Sequence, residues 1–275
     1  MGGNARDRRI WIAFMPPYPW RHVLITGASS GLGRALAEAV AAPGVTLHLS
    51  GRDAARLNAT SESCHTKGAT IIEAVQDVTN AHAMTAWIQN AGPLDLVIAN
   101  AGVSGGTGDA TEPPAQAARI FATNVTGVLN TALPAIEVMA AQPPGADGIR
   151  GRVAVIASIA AFVAAPGAPA YCASKSAVQR WAEAVDASER ARRIRLHAVC
   201  PGYIRTPMTA RNSFPMPFLM TAEDAAQRTL AGIAAGRLRI AYPLPLYFAA
   251  RLAGALPPSW RNRLMSTLPA KGVGG

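Results

Sequence analysis

His22-Val-Leu-Ile-Thr26-Gly27-Ala-Ser-Ser-Gly31-Leu-Gly33 is the stretch whose reading decides the fold. Its first five residues read as a buried strand, and the glycine-rich turn that follows predicts passage into a helix over 34–42. Gly27 permits a tight turn, Gly31 lets the main chain approach a pyrophosphate, and Gly33 allows close helix packing with the N-terminal amides facing the anion. Ser29, Ser30 and Leu32 belong to the same phosphate cradle. The spacing is Gly-x-x-x-Gly-x-Gly rather than Gly-x-Gly-x-x-Gly.

Outward from this turn, apolar runs that read as strands recur at 45–49, 70–75, 94–99, 153–157, 195–200 and 238–242. Helical patterns fall between them, notably at 115–140 and 171–190. Alternation of this kind predicts an α/β chain, a Rossmann-like doubly wound parallel sheet of about seven strands with helices on both faces and the ligand at the carboxyl edge. One domain over 22–242 accounts for the pattern. Residues 1–21 read as a flexible extension, because the basic and apolar start ends at Pro16-Pro17 without a small-residue cleavage site. Residues 243–275 form a second extension.

Chemistry concentrates in Tyr171-Cys-Ala-Ser-Lys175. A tyrosine and a lysine four apart on a helix project from one face, roughly 6 Å apart at Cβ. A free phenol titrates near pH 10, so it exchanges protons poorly at neutral pH unless a nearby cation stabilises the phenolate, and Lys175 is placed to be that cation. Among 26 Lys+Arg the chain has only Lys67, Lys175 and Lys271 as lysine. Ser158 closes the apolar run at 153–157, where a strand end presents its hydroxyl at the sheet's carboxyl edge. Taken singly, these residues read as an amphipathic core tyrosine, a solvated charge and a helix cap.

Joined to the glycine turn, they give the chain its resemblance to the short-chain dehydrogenase/reductase family over nearly its whole length. The resemblance implies hydride transfer between a nicotinamide cofactor and a small-molecule carbonyl or secondary alcohol. Ser158 would polarise the oxygen, Tyr171 would exchange the proton, and Lys175 would lower the phenol's pKa and bind the nicotinamide ribose. Asn124, in Asn124-Val-Thr-Gly127, corresponds to a family residue that kinks its helix and holds a relay water; the other reading is an Asn bonded to a neighbouring helix turn. The family places Asn100-Ala101-Gly102 beside the cofactor, with Asn100 bridging backbone groups. It uses Pro201, Gly202, Ile204 and Thr206 to hold the carboxamide. Asp77-Val78 resembles the adenine contact, although an Asp there is equally a helix-start signal. The first charge after the second strand is Arg52, suited to a 2′-phosphate, so NADP(H) is expected over NAD(H); Asp53 accepting a ribose hydroxyl is the other reading. A homo-oligomer paired through the 171–190 helix is implied by the resemblance alone. The rival function is a redox-inactive NADP(H)-binding sensor or interaction protein.

Composition sets the outer bounds. The net charge of +10 suits anionic partners, but no run of five or six like charges appears, so nucleic acid is not expected. Three cysteines without Cys-x-x-Cys spacing and five scattered histidines predict a reducing, cytoplasmic setting and no metal site. Residues 208–220 combine Phe214, Met216, Phe218 and Met220 with three prolines and read as a lid over a hydrophobic substrate, or as a surface loop. In 243–268 aromatic and basic residues mix. The first expectation is a segment covering the pocket or a subunit interface, with prolines breaking its amphipathic run; the second is peripheral membrane contact.

Overall fold

The computed structural model describes residues 18–107, 110–212 and 214–265. Seven parallel strands form one sheet: β1 (His22–Thr26), β2 (Thr46–Gly51), β3 (Thr70–Val75), β4 (Leu96–Ala99), β5 (Gly151–Ile156), β6 (Ile194–Pro201) and β7 (Arg239–Tyr242). Their spatial order is β3-β2-β1-β4-β5-β6-β7. The inner strands are apolar on both faces because helices cover both, while edge strand β3 is largely exposed. In order between the strands run α1 (Gly31–Val40), α2 (Ala54–His65), α3 (Ala81–Gln89), α4 (Pro114–Phe121), α5 (Gly127–Ala141), α6 (Pro169–Glu189) and α7 (Ala222–Ala234). Helices α8 (Leu244–Ala255) and α9 (Pro258–Met265) follow the last strand.

The strand order reverses between β1 and β4. Chains leaving these two strands diverge to opposite sides of the sheet, which opens a crevice at their carboxyl ends. Two hydrophobic clusters sandwich the sheet, one containing Leu36, Leu47, Leu49 and Ile233, the other Met84, Ile136, Val153 and Val178.

Several expectations shift. Helix α1 starts at Gly31, three residues earlier than its propensity suggests, because the glycines themselves form the first turn. The helix expected over 115–140 is interrupted by a wide π turn at Ala122–Thr126, which contains Asn124. Trp20 lies in the core at 4% exposure with Tyr18 stacked on it, ring centroids 5.4 Å apart. Residues 18–20, assigned to the flexible extension, therefore pack; residues 1–17 lie outside the described part. On α6, Trp181 and Val185 pack against the core of their own chain. The three cysteines are buried and form no disulfide.

Beyond β7, the prolines do not break the chain as expected. Pro245 sits in the first turn of α8 and Pro258 opens α9, positions where a missing N–H removes no helical bond. Helix α8 packs onto the short turn Ile159–Phe162 after β5, with Tyr247 edge-on to Phe162 at 5.2 Å. A Cβ on Gly254 would stand 1.9 Å from the Phe162 carbonyl, so only glycine lets the two backbones approach this closely. The extension thus braces the back of the wall that begins at Ser158.

Candidate active site

A cleft of about 620 Å³ occupies the crevice. At one end is the glycine turn. Ser30 precedes α1 with extended backbone and no side-chain cap, leaving the first amides of the helix open to an anion. Gly33 shows why this turn needs glycine: a Cβ there would lie 2.2 Å from the Gly27 carbonyl oxygen and 2.5 Å from Asn100 Nδ2. Asn100 ties the turn to the sheet, donating from Nδ2 to Thr26 O at 2.9 Å and Gly27 O at 3.1 Å. An uncapped helix start and a cradle that a side chain would fill fit a dinucleotide diphosphate.

The cleft runs over the ends of β2 and β3 past Arg52, Asp53, Asp77 and Val78. Asp53 accepts from the Arg56 amide at 3.0 Å to cap α2 and pairs with Arg56 Nε at 2.8 Å. These bonds, the backbone one first, hold its carboxyl below the usual range. Arg52 stands 3.6 Å from Asp77 with its side chain 63% exposed, so its charge faces solvent at the rim. Partial burial raises the Asp77 carboxyl, but the amide and hydroxyl of Thr79, each 2.9 Å from Oδ1, outweigh it and hold the group low. Asp77 starts no helix; Asn80 caps α3. Arg56, Gln76, Thr123 and Thr209 also line the cleft and escaped the sequence reading. Arg56 had a signal, since a residue three after an Asp cap lies in the first helical turn beside it.

At the other end the Ser158, Tyr171 and Lys175 side chains share the cleft wall with Gly102, Pro201, Gly202, Ile204 and Thr206. Ser158 Oγ accepts from the Ala160 amide at 3.1 Å and hydrogen-bonds the Tyr171 phenol. Burial pushes that phenol up to about 12, while the Ser158 bond pulls it the other way. Lys175 is 5% exposed, donates to Ile156 O at 2.7 Å, and stands 5.9 Å from the Tyr171 ring centroid. Burial presses its pKa down to about 8. Burial is the leading influence on both groups, and it carries the phenol above its ordinary value rather than below it.

Asn124 sits behind this wall rather than in it. It is fully buried; its Oδ1 accepts from Val103 N at 2.8 Å, and its Nδ2 donates to Val103 O at 2.9 Å and Ser174 Oγ at 3.1 Å. Both amide N–H groups are spent, one of them on the neighbouring helix α6, while Oδ1 accepts one bond and keeps a second lone pair.

Comparison with known proteins places this geometry. A family model described as short chain dehydrogenase matches residues 21–215. An uncharacterized oxidoreductase of Myxococcus xanthus is 37% identical over 88% of this chain and 95% of its own length. Among solved structures, a short-chain dehydrogenase of Sphingobium yanoikuyae in complex with NADPH superposes with a TM-score of 0.73 at 25% identity, covering 90% of this chain and 96% of its own. One of Burkholderia phymatum in complex with NAD gives 0.75 at 24% identity, covering 95% of this chain and 100% of its own.

Proposed function

The chain belongs to the short-chain dehydrogenase/reductase family and is an oxidoreductase, and from this premise we propose that it uses NADP(H) to interconvert a carbonyl and a secondary alcohol on a hydrophobic substrate, with Tyr171 as the acid/base. The observation that carries the proposal is the meeting of Ser158, Tyr171 and Lys175 in a cleft whose far end is a glycine cradle. When bound, the nicotinamide supplies or accepts the hydride.

Ser158 Oγ donates to the substrate oxygen, whose polarity then increases. Tyr171 Oη gives that oxygen its proton. A phenol held near 12 is neutral at neutral pH, the form a proton donor must take, which suits the reducing direction. Lys175 spends one of its three N–H bonds on Ile156 O and keeps two for the nicotinamide ribose, while its charge steadies the phenol as the proton leaves. Asn124 acts as a clamp: it fixes the Val103 backbone to α6, the helix that carries Tyr171 and Lys175.

The NADP(H) preference rests on Arg52, with Arg56 nearby, and on the engagement of Asp53 by Arg56. The Sphingobium protein is in complex with NADPH and the Burkholderia phymatum protein with NAD, so the choice of cofactor is argued from this rim alone. Residues 208–220 would close over an apolar substrate: Met208 and Phe218 stay exposed, while the loop is tied at its base where Arg205 N donates to Met220 O at 2.9 Å.

Tyr171→Phe tests the assignment. With NADPH and a panel of hydrophobic ketones, turnover followed at the nicotinamide absorbance is expected to vanish while NADPH binding persists. Unchanged turnover overturns the acid/base role; absence of turnover in the unaltered protein on every carbonyl tried favours the redox-inactive sensor.

A further inference from the structure

Helix α8 turns its back on the usual rule for a surface helix. At 3.6 residues per turn, Tyr247, Ala250 and Gly254 face the Ile159–Phe162 turn, and Leu244, Phe248 and Leu252 fall at i, i+4 and i+8 on the adjoining outer side. Those three are 58%, 62% and 71% exposed. Helix α9 adds Trp260 at 68%. A helix apolar on both sides is stable only if something covers the outer one, and among the described residues no other segment does.

Charge identifies the cover. No Asp or Glu follows Asp224, whereas seven cations do, four of them in the C-terminal extension (Arg251, Arg261, Arg263 and Lys271). Arg251 lies between the packed and the apolar side of α8. Its Nη1 donates to Tyr247 Oη at 3.1 Å and its guanidinium stacks over the Tyr247 ring at 5.8 Å, so the charge is held along the edge of the stripe. The nearby carboxylate of Glu183 is taken up by Arg239, so a second copy docking face to face through this stripe would bring two net-basic rims together, which is repulsive. An anionic surface is complementary. No helix among the described residues is long and apolar enough to cross a membrane.

We infer that α8 and α9 seat the protein on the surface of an anionic phospholipid bilayer, with Leu244, Phe248, Leu252 and Trp260 entering the acyl boundary and Arg251 and Arg263 meeting the headgroups. The arrangement is that of an in-plane anchor in which the rest of the protein takes the place of the helix's polar face. Tryptophan at the edge of such a surface finds apolar and wet surroundings together. This inference is independent of the redox reading, and its test reads no turnover.

Vesicle co-sedimentation of the full chain decides it, comparing phosphatidylcholine alone with an equal mixture of phosphatidylcholine and phosphatidylglycerol. The chain is expected to pellet with the mixed vesicles, far less with the neutral ones, and to be released by high salt. Phe248→Glu combined with Leu252→Glu should weaken partitioning by at least about tenfold, since burying one such side chain stabilises by ~1.5 kcal/mol or more. Arg251→Ala should weaken it about fivefold, ~1 kcal/mol per basic residue near an anionic surface. Circular dichroism and NADPH binding serve as folding controls; should the double variant misfold, Arg251→Ala and the salt series still decide. Three results overturn the inference: no pelleting, equal pelleting on neutral vesicles, or a double variant that binds vesicles normally but loses a dimer seen by analytical ultracentrifugation.

Discussion

Replacing Lys175 by methionine tests whether a buried ammonium is retained against the protein's own stability. Lys175 is 5% exposed, and among the described residues it forms no ion pair with a carboxylate. Its pKa falls from 10.5 to about 8, first because burial disfavours the charge. At 1.36 kcal/mol per pH unit that drop amounts to ~3 kcal/mol of stability forgone while the group is charged. The sign follows from proton binding. Below pH ~8 folded and unfolded chains both carry the proton and the penalty is present in full. Between ~8 and ~10.5 the folded chain gives it up first, the unfolded chain binds more protons, and stability rises with pH. Methionine removes that titration but strands Ile156 O, which Lys175 now satisfies at 2.7 Å, at a pH-independent cost of ~1–3 kcal/mol. Near pH 7 the two terms nearly offset, so the nucleotide-free variant should be about as stable as the parent. By pH 10 the parent should have gained ~2–3 kcal/mol on the variant. Urea unfolding of both proteins across this range measures the difference directly, and groups common to both cancel. Parallel stability curves would refute the reasoning, because they would mean that the ammonium is not desolvated in the folded chain.

Arg52→Ala should weaken NADPH binding roughly ten- to hundredfold, the ~1.5–3 kcal/mol of a hydrogen bond to a charged group, while barely changing NADH binding; nucleotide fluorescence titration measures both, and equal losses would remove Arg52 from cofactor selection. Gly33→Ala puts a methyl 2.2 Å from the Gly27 carbonyl, so the cradle must open. Nucleotide binding should be lost together with ~1–3 kcal/mol of stability, and a variant that binds and melts like the parent would show that the turn is not packed as described.

How much of this could be read beforehand depended on whether a residue's role is local. The strand 70–75 and the strand end at Thr26 follow from short apolar runs, and the glycine turn from spacing alone, because each is dictated by neighbours in sequence. The start of α1 is set by tertiary contacts: Gly31 and Gly33 are poor helix formers, and only the closeness of Thr206, Gly27 and Asn100 makes them the right residues for a first turn. Trp20 belongs to the same class, since nothing within the first twenty residues announces that its ring enters the core. The C-terminal prolines read as breakers by type, but their positions in the first turns of α8 and α9 make them helix starters.

Tyr171 and Lys175 mark a deeper limit of reading by residue type. Spacing on a helix places the two side chains on one side, and proximity of opposite tendencies suggests that each shifts the other toward its charged form. The fold answers with a larger effect. Both groups are taken out of water, and desolvation drives each toward neutrality, the phenol upward against its hydrogen bond with Ser158 and the ammonium downward. On the proposed reading, a desolvated ammonium gains most from a group that arrives to bond it, so the burial of Lys175 favours its contact with the nicotinamide ribose.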